Sequence, residues 1–178
     1  MASRIPLNFD SIFSNKGITE DMYLILIVLQ TGVLGTIVMD ILNLIFARIG
    51  IISRIEINMI GRMAAGWIHG HFIYKHPNEM EEAAHEVLFG YITHYLIGIG
   101  LAIPYIFGWD ILIGGNPSLI WAIFYGILTT VASWFFVYPT MGLGILGLKS
   151  PEGFRAAFSS LANHLFYGIG LAVGIVLI

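Results

Sequence analysis

The chain contains no cysteine among its 178 residues, and Asp, Glu, Lys and Arg together make up only 11% of it. Without a thiol there is no disulfide framework, no thiolate metal site and no thiol nucleophile. A soluble domain carries about 25% charged residues, so this sequence lacks the charge to solvate the surface of one. Its formal net charge of -3 disfavours nucleic-acid binding, and its shortage of polar tracts disfavours disorder. What it has in abundance is apolar: 57% hydrophobic residues, together with 21 glycines. That composition belongs to an integral membrane protein whose main partner is the lipid bilayer.

A membrane-crossing helix needs about 20 mostly apolar residues, and four runs meet that requirement: 22–48, 87–108, 118–138 and 156–178. The expected fold is all-α and polytopic, with an N-terminal extension (1–21), a transmembrane domain (22–178) and one long connection (49–86). The first run is too long for a signal-peptide core and has no small-residue cleavage site behind it. Thr19, Glu20 and Asp21 precede it as an N-cap with two carboxylates at the positive end of the helix dipole. Arg48, Arg54, Arg62, Lys75, Lys149 and Arg155 fall on one side of the spans, against Arg4 and Lys16 on the other. The positive-inside rule then places both basic connections in the cytoplasm and both termini outside. Tyr23, Tyr105, Trp109 and Trp121 would form an outer aromatic belt, and Tyr138 part of an inner one.

The sequence also repeats. Thr93-His94-Tyr95-Leu96-Ile97-Gly98-Ile99-Gly100-Leu101-Ala102 in the second span returns as Asn163-His164-Leu165-Phe166-Tyr167-Gly168-Ile169-Gly170-Leu171-Ala172 in the fourth. A fainter echo links Gly32 to Thr36 in the first span with Gly126 to Thr130 in the third. Two pseudo-repeated helical hairpins of the same orientation account for both. Small residues four apart, such as Gly98 and Ala102, Gly170 and Gly174, or Ala122 and Gly126, allow close helix approach.

Three ionisable groups lie inside the spans. Asp40, His94 and His164 sit 8 or 9 residues from the charged residues Arg48, Glu86 and Arg155, a depth of about 12 to 13 Å for all three. An intramembrane carboxylate is costly and so marks function. Thr36 and Asn43 share the Asp40 stripe, and Gly98 and Gly168 follow the two histidines by one turn. One carboxylate and two imidazoles can bind a divalent metal such as zinc or iron. The two histidines could instead be axial ligands of haem b, with Gly98 and Gly168 making room for the macrocycle. A third chemistry passes protons through Asp40, the histidines and Glu86, and a purely structural hydrogen-bonded cluster also fits.

The long connection is polar and His-rich, but Ile55 to Ile68 reads as an amphipathic helix at the membrane surface, with Arg62 reaching lipid headgroups. Four histidines and four glutamates between His69 and Glu86 lack a helical ligand pair apart from Glu82 and His85. Pro139 to Gly144 reads as a turn or short re-entrant segment. No nucleotide fingerprint, Ser-His-Asp set or helix-embedded protease motif is visible.

The segments Gly35-Thr36-Ile37-Val38-Met39-Asp40, Ile60-Gly61-Arg62, Gly70-His71-Phe72, Gly90-Tyr91-Ile92-Thr93-His94-Tyr95-Leu96-Ile97-Gly98, Met141-Gly142-Leu143-Gly144 and His164-Leu165-Phe166-Tyr167-Gly168 resemble a bacterial family of small inner-membrane proteins catalogued as a domain of unknown function. The resemblance covers roughly residues 30–178. It implies four helices in a bacterial inner membrane and supplies no activity. Tyr167 departs from it, where a smaller residue is expected, and could narrow a pocket beside His164. The leading expectation is therefore an inner-membrane protein, homo-oligomeric or part of a larger complex, that binds a metal ion or haem through Asp40, His94 and His164. A proton-coupled carrier of a small solute or ion, and an accessory subunit, are the alternatives. No catalytic residue is identified.

Overall fold

A computed structural model describes residues 18–112 and 118–177, with side chains for 22–108 and 118–177. The proposed caps Thr19, Glu20 and Asp21, the belt residue Trp109 and the basic residues Arg4 and Lys16 lie outside the described side chains. Five helices carry the described residues: α1 (Ile18–Arg48), α2 (Ile57–Ile68), α3 (Glu86–Leu112), α4 (Leu119–Thr140) and α5 (Phe154–Val176). All but α2 are long and apolar enough to cross a membrane.

α1 lies between α5 and α3, and α5 lies between α1 and α4. α3 and α4 touch little; the Tyr105 and Tyr125 rings, 5.5 Å apart, help bridge them. Three of these contacts are made by glycine. At Gly32 an added Cβ would stand 2.6 Å from Ile99 Cα of α3, and at Gly126 it would stand 2.5 Å from Gly168 Cα of α5. Gly170 and Gly174 bring α5 onto Gly35 and Thr31 of α1. Without a hydrophobic force between helices in lipid, such backbone approach is what holds spans together.

Tyr105 is wholly buried, so it is a core residue and not a belt residue. The reason is its partner: Tyr125, whose hydroxyl donates to the Leu101 carbonyl at 2.7 Å, packs against it from α4 with the rings tilted by 38°. Within α4, residues Ser133–Val137 form a widened π-type turn. It precedes Pro139, which has no N–H to offer the Phe135 carbonyl and whose ring crowds it.

The two connections that the sequence places on one side do meet. α2 packs along α3, where an added Cβ on Gly61 would collide with the Glu86 carbonyl and one on Gly90 with the Ile57 carbonyl. Met63, Met80, Met141 and Leu143 make a second small core between α2 and the connection after α4. Met is suited to such an irregular gap because it is unbranched. Gly142 has φ +76, and its Cα faces the His76 backbone, so a side chain there is excluded on both counts. The Tyr74 N–H donates to the Thr140 carbonyl at 3.1 Å across the same junction.

Candidate functional site: an intramembrane Asp-His pair

Asp40 sits two turns before the end of α1, on the face that meets α3. Its stripe is Gly32, Thr36 and Asp40 at steps of four, which keeps all three on one side of the helix. Gly32 and Thr36 set the helix separation: Thr36 is fully buried, its hydroxyl donates to the Gly32 carbonyl at 2.9 Å, and its Oγ1 occupies the place a Cβ on Gly98 would need. One turn further on, the same close approach brings His94 to Asp40. The Asp40 Oδ1 to His94 Nε2 distance is 2.9 Å, and the Tyr95 hydroxyl donates to Oδ2 at 3.2 Å. Both carboxylate oxygens therefore have partners from one helix. The His94 side chain is 10% exposed and that of Asp40 26%, so the pair is sheltered without being sealed.

His164 belongs to a different contact. Its Nδ1 lies 2.8 Å from Thr129 Oγ1, and the Thr129 hydroxyl lies 2.6 Å from the Gly126 carbonyl. With the threonine proton donated to that carbonyl, its oxygen accepts from His164 Nδ1–H, which leaves the lone pair on Nε2. The three ionisable groups thus divide into an α1–α3 pair and an α4–α5 histidine. Among the described residues, no group of three or more His, Asp or Glu side chains is arranged to hold a metal ion.

Several other expected site residues have structural employment. Gly98 is filled by Thr36, and Gly168 lies against the Ala122 and Ile123 backbone; the space assigned to a macrocycle is taken up by helix crossings. Asn43 is buried and fully committed: its amide donates to the Ser53 carbonyl at 3.0 Å and to Asn163 Oδ1 at 2.9 Å, and its oxygen accepts from the Ile55 N–H at 3.3 Å. It ties the end of α1 to α5 and does not line a pocket with Asp40. Tyr167 reaches past His164 and donates to the Gly98 carbonyl at 2.5 Å, with its ring against Gly35.

Arg62, expected to meet headgroups, is engaged by two glutamates. Its Nε meets Glu86 Oε2 at 2.7 Å and its Nη2 meets Glu86 Oε1 at 3.1 Å, with Glu82 at 3.4 Å. A planar guanidinium fits a carboxylate at two points, and this fork clamps α2 to the start of α3. The Glu86 hydrogen bond, with the charges of Glu86 and Glu82, holds the guanidinium above its ordinary pKa. Glu86 is accordingly an anchor rather than a member of the Asp40 layer.

Two site residues escaped the sequence reading in their roles. Tyr95 stood in a motif, adjacent to His94, but nothing in its spacing says that it reaches the second oxygen of Asp40. Thr129 had only the faint repeat to mark it. No curated protein and no solved structure matches the chain. A family model described as "Protein of unknown function (DUF2938)" matches residues 28–178. The match covers most of the chain, including the Asp40–His94 contact and all of the apolar helices but the start of α1, and the chain belongs to this family of unknown function.

Proposed function

We propose that this chain is a four-span protein of the bacterial inner membrane, with both termini outside, that takes up and releases a proton at Asp40 and His94 to carry a small solute or ion. The observation that carries the reading is the 2.9 Å contact between Asp40 Oδ1 and His94 Nε2, with Tyr95 on the other carboxylate oxygen. One proton serves the pair. On His94 Nε2 it makes an ion pair; on Asp40 Oδ1 it makes a neutral acid and a neutral imidazole, and the total charge is unchanged. Release of that proton leaves a carboxylate beside a neutral ring, and this second change alters the charge inside the bilayer. Such a change is expensive in lipid, so it can bias the α1–α3 contact between two arrangements. Tyr95 keeps the carboxylate in place while the proton moves. The excess of Lys and Arg in the two connections supports their cytoplasmic placement.

A metal or haem at the same layer has less support. His94 Nε2 would have to leave Asp40, His164 would have to leave the α4–α5 contact or bind through Nε2 alone, and the glycine flanks are filled.

The test is infrared difference spectroscopy of the full chain in liposomes stepped between two pH values. The expected result is a protonated-carboxyl C=O band that is absent in Asp40→Asn. A wild-type spectrum without such a band, or one unchanged in Asp40→Asn, rejects the reading. Elemental analysis and visible absorption of the same preparation test the metal and haem alternative directly.

A further inference from the structure

We infer that the rim where α1 ends and α5 begins is a docking surface for anionic phospholipid headgroups. Two segments far apart in sequence are joined there. Arg155 Nη2 donates to the Gly50 carbonyl at 2.7 Å, the Ser53 N–H donates to Ser159 Oγ at 2.8 Å, and the Ser53 hydroxyl is bonded to the Glu152 carboxylate. These bonds bring Arg48, Arg54, Lys149 and Arg155 to one end of the bundle. All four are exposed, and they are half of the 8 Lys and Arg residues in the chain. Among the described residues none of the four enters an ion pair; Glu152, the carboxylate at this junction, accepts from a hydroxyl and keeps its charge, so the four cations outnumber it.

The chemistry between the cations is apolar. Ile49 is 64% exposed and Phe154 is 72% exposed, each next to or near one of the basic residues in sequence. Unpaired cations alternating with exposed large apolar side chains, at the end of two spans, match the boundary between acyl chains and phosphates. The long alkyl stems of Lys and Arg let the charge rise to the phosphate level while the stem stays in the apolar layer. The other half of the same face differs. Arg62 is neutralised by Glu86 and Glu82, and Glu79 and Glu81 stand exposed in the same connection, so an anionic headgroup is repelled there. The lipid preference therefore has a location and is not a property of net charge, which is negative overall.

The experiment reads the association constants of spin-labelled phosphatidylglycerol and phosphatidylcholine with the full chain in liposomes. Phosphatidylglycerol is expected to be preferred, by up to about fivefold for each cation that reaches the surface. Arg48→Gln with Arg54→Gln removes two of the cations and leaves the Arg155 bond to Gly50 intact, so the preference should fall while the protein stays folded. Lys75→Gln, on the acidic half, should leave it unchanged. Equal association of the two lipids with the wild-type chain overturns the inference. So does a loss in Lys75→Gln that equals, per charge removed, the loss in the double variant, because that would be an effect of net charge alone.

Discussion

The two hairpins of this protein share a scaffold and differ in chemistry. In the first, Gly32 of α1 meets the α3 backbone at Gly98 and Ile99; in the second, Gly126 of α4 meets the α5 backbone at Gly168. The offsets between these pairs, 94 and 70 residues, are those of the sequence repeat, so the same crossing is built twice. Each hairpin then carries a histidine one turn before its second glycine. On the opposing helix, however, the position eight residues after the first glycine holds Asp40 in α1 and Trp134 in α4. Asp40 meets His94 Nε2 and accepts from the Tyr95 hydroxyl, whereas Trp134 donates its indole N–H to the Ala157 carbonyl at 3.2 Å. The glycines are therefore architecture, common to both halves, and the Asp-His contact is an addition to one of them. The surroundings diverge too, because α1 lies along α5 while α3 and α4 scarcely touch, and the repeated hairpins do not occupy equivalent places.

The sharpest way to break this contrast is to exchange its ends. Asp40→Asn should abolish the pH-linked carboxyl signal entirely, while Trp134→Phe should leave it intact, as read by the same infrared measurement. A signal lost in both variants would mean that the second hairpin shares the chemistry. The shared scaffold is tested by Gly32→Ala and Gly126→Ala. Each places a Cβ at 2.6 or 2.5 Å from a facing Cα, and overpacking of that kind costs about 1 to 3 kcal/mol. Both should lower the unfolding midpoint in detergent to a similar extent. One neutral variant would show that the crossings are not equivalent.

Much of this organisation was legible from residue order alone. Apolar run length gives the four long helices, because the thickness of a bilayer imposes it, and the glycine repeat gives the crossings because only glycine permits them. The depth of Asp40, His94 and His164 follows from counting residues at a fixed rise. What counting cannot supply is rotation about each helix axis. Asp40 and His94 face each other, but His164 at the same depth turns to α4 and finds Thr129. Arg62 shows a related difficulty: a lone arginine on an amphipathic helix reads as a headgroup contact until the chain reversal through residues 69–85 brings Glu86 back to it. Tyr105 was misplaced for the same reason, since an aromatic near a span end points to lipid or to a neighbour according to a packing partner, Tyr125, that lies 20 residues away.

Tyr95 offers the next finer test, because it touches only the first hairpin's carboxylate. Tyr95→Phe keeps the ring and removes the 3.2 Å bond to Asp40 Oδ2; a hydrogen bond of this type contributes about 1 kcal/mol, and the loss should appear as a modest fall in thermal midpoint. On the proposed reading the carboxyl band should persist and change its frequency, since Asp40 keeps its His94 contact with one fewer donor. A band that disappears would make Tyr95 a member of the proton-binding unit and not its support.

The smallest effect on the carboxyl band is expected in the second hairpin. Thr129→Val preserves the shape of the side chain and removes the oxygen that His164 Nδ1 faces at 2.8 Å. The ring keeps a donor without an acceptor, at a cost of about 1 kcal/mol or slightly more, partly recovered because the Gly126 carbonyl retains its backbone bonding options within α4. If the two hairpins are independent in chemistry, the carboxyl band of Asp40 keeps both its amplitude and its frequency in this variant. A shifted band would instead mean that the His164 contact is felt across α1 and α5, and that the layer seen in the sequence acts as one unit although its members are bonded separately.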